Sequence, residues 1–471
     1  MMAIQVSRAA QIFVAPLLLL ISACAPLGLD YQRPNVALPS AYYQSDAVAA
    51  STVVSASWWT LYQDATLNDL IRQALQNNAD IKQAVARIEE VEAAAREIGA
   101  ETFPSLNLDG RATRTRVTES GPFPVFGENP RNNFNAQIGT SFELDFWGKL
   151  RRAKESARAQ ALASHYAKAT VDLSLTGMIA QQYWFLRSLD AQTAIALASL
   201  KTREASLTLT RRRLEGGVAS GLDLHQAEAA SASLKAQLAE LGKLRAQTLH
   251  QLASLSGNLE LSIPALANTG LSLPPTPPVG LPSSLLEARP DVRLAEQQLI
   301  SANANIGVAK AALYPSISLT AALGGESLAL SDVLKASSRI WTGGLNLNLP
   351  IFDSGKRGAQ VDQASAQQKQ VLANYQRVIQ TAFTEVNDAL VAVRQNAERE
   401  SALSDSQVAA KKALDIAMHR YQSGYSAYLD VLDAQRVYHA AELSFVQARE
   451  ARLQATVALF KALGGGWQAA N

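Results

Sequence analysis

Between Gly148 and Glu215 the chain has no proline and one internal glycine, Gly177. This spacing predicts a single helix of 68 residues, about 100 Å long at a rise of about 1.5 Å per residue. No globular core is that deep, so the chain must be built around something elongated. A glycine turn follows at Gly216 and Gly217, and a second breaker-poor stretch to Ser256 predicts a helix of about 35 residues.

The same turn is written twice. Arg213, Gly217, Leu222, Asp223 and Ala227 match Arg420, Gly424, Leu429, Asp430 and Ala434 at a constant offset (430 − 223 = 207). Phe103-Pro104-Ser105 is answered by Tyr314-Pro315-Ser316, and Gly148-Lys149 by Gly355-Lys356. Ahead of the first proline, Leu67, Leu70, Ile71 and Leu75, then Ile81, Val85 and Ile88, recur at helical spacing and read as one helix ended by Pro104. The period then changes to two. Phe134, Ala136, Ile138, Thr140, Phe142, Leu144 and Phe146 share one face, and Asn135, Gln137, Ser141, Glu143 and Asp145 the other, as in a strand with one apolar side. "SLNLDGRATRTRV" is its expected partner. In the second copy "SISLTAAL" and "WTGGLNLNLPIF" alternate likewise, with Trp341, Gly343, Leu345, Leu347 and Leu349 together. A second long helix to Gln422 carries Ile379, Phe383, Val386, Leu390, Val393 and Ala397 at coiled-coil spacing.

The chain is therefore a tandem duplication of helix, strand, strand, long helix, turn and shorter helix. The expected divisions are a signal segment over 1–23, an extended segment over 24–65 and the first repeat over 66–257. A proline-rich linker over 258–288, the second repeat over 289–463 and a tail over 464–471 complete it.

A net charge of +2 with interspersed signs provides no basic field and excludes nucleic acid as a partner. The single cysteine, Cys24, excludes an intramolecular disulfide and closes the apolar run "IFVAPLLLLISAC". That run is short of the roughly 20 residues a spanning helix needs. With Arg8 before it and Ser22 and Ala23 just ahead of the cysteine, it resembles a bacterial lipoprotein signal with the lipobox "ISAC". The resemblance implies cleavage to leave Cys24 as the acylated first residue, and Ala25, being uncharged, implies transfer to the outer membrane. An ordinary secretory signal with a chance cysteine is the alternative.

Strands of about 10 residues with one apolar face match a tilted crossing of a bilayer. An open sheet there would leave edge groups unpaired at several kcal/mol each, so the strands must close with other chains. Two chains would give about eight strands and a filled interior, three about twelve and a lumen. Spacing alone does not count the subunits, and a soluble sheet packed on helices would show the same alternation. In a barrel Asn135, Gln137, Glu143, Asn346 and Asn348 face the water inside.

"WWTLYQDATLNDLIRQAL", "LPSSLLEARPDVRLAEQQL", "YPSISL" and "GYSAYLDVLDAQR", in this order, resemble the signature stretches of the TolC family of outer-membrane efflux proteins, specifically its lipoprotein, OprM- and NodT-like branch. The likeness spans essentially the whole mature chain, with Ala288 standing where the family commonly has a second arginine. It implies an α+β membrane protein: a homotrimer with four strands per chain in a twelve-strand transmembrane β-barrel, continued by a periplasmic α-helical barrel. It implies an equatorial girdle built from the termini and the mid-chain linker. It further implies a passive exit duct for small molecules such as drugs in a tripartite efflux pump. Its partners would be outer-membrane lipid, a periplasmic adaptor and an inner-membrane transporter of the resistance-nodulation-division class. A type I secretion duct, or a lipid-anchored coiled-coil scaffold without a pore, are the rival readings.

No catalytic constellation stands out, and His165, His225, His250, His419 and His439 lack metal-ligand spacing. An enzyme, a cofactor and a bound metal are not expected. Leu429 and Asp433 are four apart and share a helix face. By the resemblance they are the apolar and acidic rings of a periplasmic gate. Three carboxylates near an axis also suit a cation site, whereas a first-turn acid favoured by the helix dipole is the plainer role for Asp433. Tyr421 resembles the family's tip tyrosine, which bonds a neighbouring hairpin, with core packing as the alternative. Gly217 and Gly424 are expected to close helix ends, and with Arg213 and Arg420 to meet the adaptor. The Arg211 to Arg213 run also fits a solvated helix terminus, and Asp223 is expected to cap its helix with Ser220.

Overall fold

The computed structural model describes residues 26–42, 56–122, 127–266, 273–274 and 284–467. The expected signal segment, Cys24, much of the linker and the last residues of the tail lie outside these. Two compact units emerge, each drawing on both repeats. Among the described residues one comprises 26–35, 87–122, 127–164 and 295–375, the other 36–42, 56–86, 165–266, 273–274, 284–294 and 376–467.

In chain order the elements are α1 (Ala65–Asn77), α2 (Ala79–Ala100), β1 (Ser105–Thr115), β2 (Arg131–Glu143), α3 (Lys149–Glu215) and α4 (Gly221–Ser256). The second repeat supplies α5 (Pro290–Ala311), β3 (Ser316–Ser327), β4 (Arg339–Asn348), α6 (Lys356–Gln422) and α7 (Tyr428–Ala462). The long helices α3 and α6 each hold 67 residues, about 100 Å. Among the described residues no helix is long and apolar enough to cross a membrane.

One expected helix is two. Asn78 stands extended between α1 and α2 (φ −59°, ψ 136°), and its side-chain oxygen accepts from the amides of Asp80 and Ile81 while its amide donates to the Leu255 carbonyl. The side chain thus replaces the helical bonds that the break removes.

In the first unit the strands form one antiparallel sheet in the order β1-β2-β3-β4. Leu108 lies opposite Ile138, Ile138 opposite Leu323, and Leu323 opposite Trp341, so the apolar positions of all four strands share a face. On it Leu108 and Trp341 are each 78 % exposed and Leu345 64 %. A soluble sheet would bury such a face, so the outcome favours lipid over helix packing. β1 and β4 are the edges, with no further strand beside them among the described residues. Trp147 stacks on Tyr314 at 4.8 Å where β2 and β3 meet the helices, an aromatic pair of the kind that marks a membrane interface.

The second unit has the principal core. Trp58 stacks on Phe460 at 5.2 Å and Tyr62 packs against Trp184, with Leu67, Ile71, Leu175, Ile179 and Leu252 buried around them. Beside it, Arg187 and Arg245 both pair with the buried Asp190. The seam on α6 runs slightly differently from its expected course: Ile379 and Val386 are buried, but Ala382 and Ala389 lie deeper than Phe383 and Leu390. The small side chains let the backbones approach, leaving the large ones at the border.

Candidate functional site

The two hairpin ends lie in the second unit and close their first helices identically. The Val218 amide donates to the Arg213 carbonyl and Gly217 to Leu214; the Tyr425 amide donates to Arg420 and Gly424 to Tyr421. Both glycines have positive φ, +73° and +79°. This is the paired bonding that ends a helix through a left-handed residue, for which glycine carries no steric cost.

The outgoing helices differ. Ser220 caps α4 in a reciprocal box with Asp223, the role expected for that aspartate. At the matching position α7 begins on Ala427, which has no side-chain cap. An equivalent box at the second tip is therefore missing although Asp430 is present.

Side chains join the two tips. The Arg213 guanidinium lies 4.4 Å over the Tyr421 ring, which meets Tyr428 at 5.7 Å. Tyr421, Tyr428, Val431 and Ala227 form a small buried cluster. Burial, and then the adjoining Tyr421, push the Tyr428 hydroxyl above its ordinary pKa. Tyr421 is thus packed within its own chain, against the first hairpin. Arg420 points to solvent. Leu429 is 56 % exposed, and Asp433, also exposed, pairs with Arg436 at 2.7 Å. Leu429, Asp430, Asp433 and Val437 line a shallow concavity with Ala410 and Ala413.

The expected site residues therefore gather at one end, except Cys24, which lies outside the described residues. Sequence reasoning missed Tyr428, the contact of Arg213 with Tyr421, and Arg436. The Asp433–Arg436 spacing of three was a readable signal; the other two join positions far apart in sequence.

In the first unit the segment after Cys24 is pinned where strands become helices. The Leu27 amide donates to the Trp147 carbonyl. Arg152, buried, donates to the carbonyls of Leu27 and Gly28 and to Asp30, and Asn303 donates to the Leu29 carbonyl. A Cβ at Gly148 would stand 2.4 Å from Pro26, so glycine there admits the segment.

A sheet that bares its apolar face and both edges, fused to paired long helical hairpins, defines a protomer of a membrane duct. The chain belongs to the outer membrane efflux protein family, whose model matches residues 70–258 and 281–465. It is 35 % identical over 463 residues to the pyoverdine export outer membrane protein OpmQ of Pseudomonas aeruginosa, covering 95 % of this chain and 96 % of that one. It is 34 % identical over 450 residues to the cation efflux system protein CusC of Escherichia coli O6:H1, covering 94 % and 96 %. The solved structure of the outer-membrane channel OprN superposes with a TM-score of 0.87 at 29 % identity, covering 94 % of this chain and 99 % of that one.

The chain is an outer-membrane efflux channel subunit, the exit duct of a tripartite pump, with its helices extending into the periplasm. The four-strand sheet is one protomer's share of a twelve-strand trimeric barrel.

Proposed function

We propose that the duct conducts small molecules passively and is closed at its periplasmic end by the second hairpin tip, through Leu429 and Asp433. The observation that carries this is a contrast at one tip: Leu429 and Asp433, one turn apart, face solvent while Tyr421, Tyr428 and Val431 are packed. An exposed leucine beside a carboxylate suits a ring completed by two further copies. Arg436 offsets each carboxylate, so a cation at Asp433 has a competitor. Tyr421 and Arg213 hold the second hairpin to the first.

The turn residues Gly217 and Gly424, with exposed Arg420 and neighbouring Val218 and Tyr425, suit contact with a periplasmic adaptor. Arg213, half-buried against Tyr421, is better placed to brace the tip than to meet a partner. An inner-membrane transporter of the resistance-nodulation-division class supplies the energy, and the duct carries out no catalytic step. Cys24 carries the lipid, an assignment supported by Pro26 lying at the strand-to-helix junction, two residues along. Near-equal identity to relatives named for pyoverdine export and for cation efflux supports a duct that leaves the choice of cargo to the pump.

The test is conductance in planar bilayers. Asp433→Ala and Leu429→Ala should each raise the mean conductance, while Leu222→Ala, at the matching position of the first tip, should leave it unchanged. Equal effects at both tips, or none at either, would sink the gate assignment. The mass of the mature N-terminal peptide decides the acylation of Cys24.

A further inference from the structure

The connection between β3 and β4 does not stand away from the sheet. Two short 3-10 turns, Leu330–Asp332 and Ala336–Ser338, fold it back, and Val333 between them is buried. Gly325 shows what it folds onto. This residue lies opposite Ala136 and Arg339 and alternates with Leu323 and Ala321, so a side chain there would project from the apolar face. A Cβ at Gly325 would stand 1.9 Å from the Val333 carbonyl oxygen. The loop therefore covers the apolar face at that point, and glycine lets it lie down.

Beyond this contact the loop leaves leucines exposed: Leu328, Leu330 and Leu334 are 68, 70 and 90 % exposed. Single exposed leucines are ordinary, but three in one short loop form a patch. The Gly325–Val333 approach sets the loop on the same face as Leu323 and Trp341, themselves 64 and 78 % exposed. Height places it. Gly325 lies eleven residues beyond Tyr314, roughly 36 Å along a strand and about 28 Å once tilted by about 40°, against an apolar band of about 25 Å. With Tyr314 and Trp147 at the lower interface, Gly325 and Trp341 fall at the upper one. Arg339 follows the loop, and within it Lys335 pairs with Asp332, placing basic groups where anionic headgroups begin.

We propose that this loop is an interfacial anchor lying against the outer leaflet, with its leucines among the acyl chains just below the headgroups and Lys335 and Arg339 at the phosphates. It is not a lid over the barrel mouth. The inference rests on the reading that the apolar face of the sheet meets lipid.

Spin labels test both. Full-length protein carrying Leu334→Cys, and separately Leu330→Cys, is labelled with a nitroxide and reconstituted in vesicles of phosphatidylethanolamine and phosphatidylglycerol. Collision with oxygen is compared with collision with a water-soluble nickel chelate. The labelled Leu345→Cys variant reports the sheet face, the Thr118→Cys variant the β1–β2 loop, and the unsubstituted chain any background from Cys24. Expected is an oxygen-to-nickel ratio at 334 and 330 several-fold above that at 118 and approaching that at 345. A ratio equal to that at 118, with 345 still in lipid, overturns the anchor alone. Shielding of 334 and 330 from both reagents also overturns it, because the loop is then packed on protein. Nickel access at 345 removes the underlying reading as well.

Discussion

Replacing Asp190 with asparagine removes the carboxylate that Arg187 and Arg245 share. Arg187 Nη1 lies 3.0 Å and Arg245 Nε 2.7 Å from its two oxygens, and the Asp190 side chain is 2 % exposed. The same arginines donate to the carbonyls of Pro264 and Ile263, and the Leu266 amide donates to Asp190. The carboxylate therefore ties the start of the linker to α3 and α4. Removing one partner of a buried pair costs about 3–5 kcal/mol. Arg245 is 24 % exposed, and partial screening by water puts the expected cost near the lower end, about 3 kcal/mol. At about 1.4 kcal/mol per factor of ten, the population with residues 261–266 detached rises roughly 100-fold. Native-state cleavage by thermolysin tracks that population when opening and closing are fast, and mass spectrometry locates the cut. Asp190→Asn should accelerate cleavage in this segment about 100-fold. Glu204→Gln, which removes the exposed partner of Lys235, should change it less than about fivefold. Adding Arg245→Gln to the first variant deletes an orphaned cation and should recover part of the loss. Unchanged cleavage in Asp190→Asn, or an equal effect of Glu204→Gln, refutes the reasoning.

His439 is buried between Ser199 and Gln237, and burial, followed by the charge of Arg203, depresses its pKa. The unfolded state then binds the extra proton first, so this residue's contribution to stability declines as pH falls below about 6.5. Thermal unfolding between pH 7 and 5 should be less pH-dependent in His439→Gln. Ala427→Ser should restore the missing cap opposite Asp430, stabilise the start of α7 by about 0.5–1 kcal/mol and slow amide hydrogen exchange at 428–431. No slowing would mean that the second tip is set by other contacts. Arg152→Ala leaves the Leu27 and Gly28 carbonyls without a donor they now have and should raise hydrogen exchange at 27–30 while the sheet amides stay protected.

The strands were legible because a one-residue slip would turn every side chain to the other face, and Phe134 to Phe146 alternate without a fault. The long helices were legible from missing breakers, and the turns at Gly217 and Gly424 from their repetition. The break at Asn78 was hidden because it uses neither proline nor glycine, only a side chain that caps the start of α2. Ala382 and Ala389 escaped the seam because alanine contributes little to an apolar pattern yet governs how closely helices approach. At the candidate site Leu429, Asp433 and Tyr421 were picked out by resemblance. The embrace of Tyr421 by Arg213 depends on folding two distant stretches together, which no local pattern records. The cluster around Asp190 has the same origin.

The unequal starts of α4 and α7 bear on the symmetry of an assembled duct. Three chains have six hairpin tips, alike in their glycine closures but with a capping box at the start of α4 and none at the start of α7. Ser220 in one half is answered by Ala427 in the other, so the tips of a trimer fall into two sets of three that differ at the start of the outgoing helix.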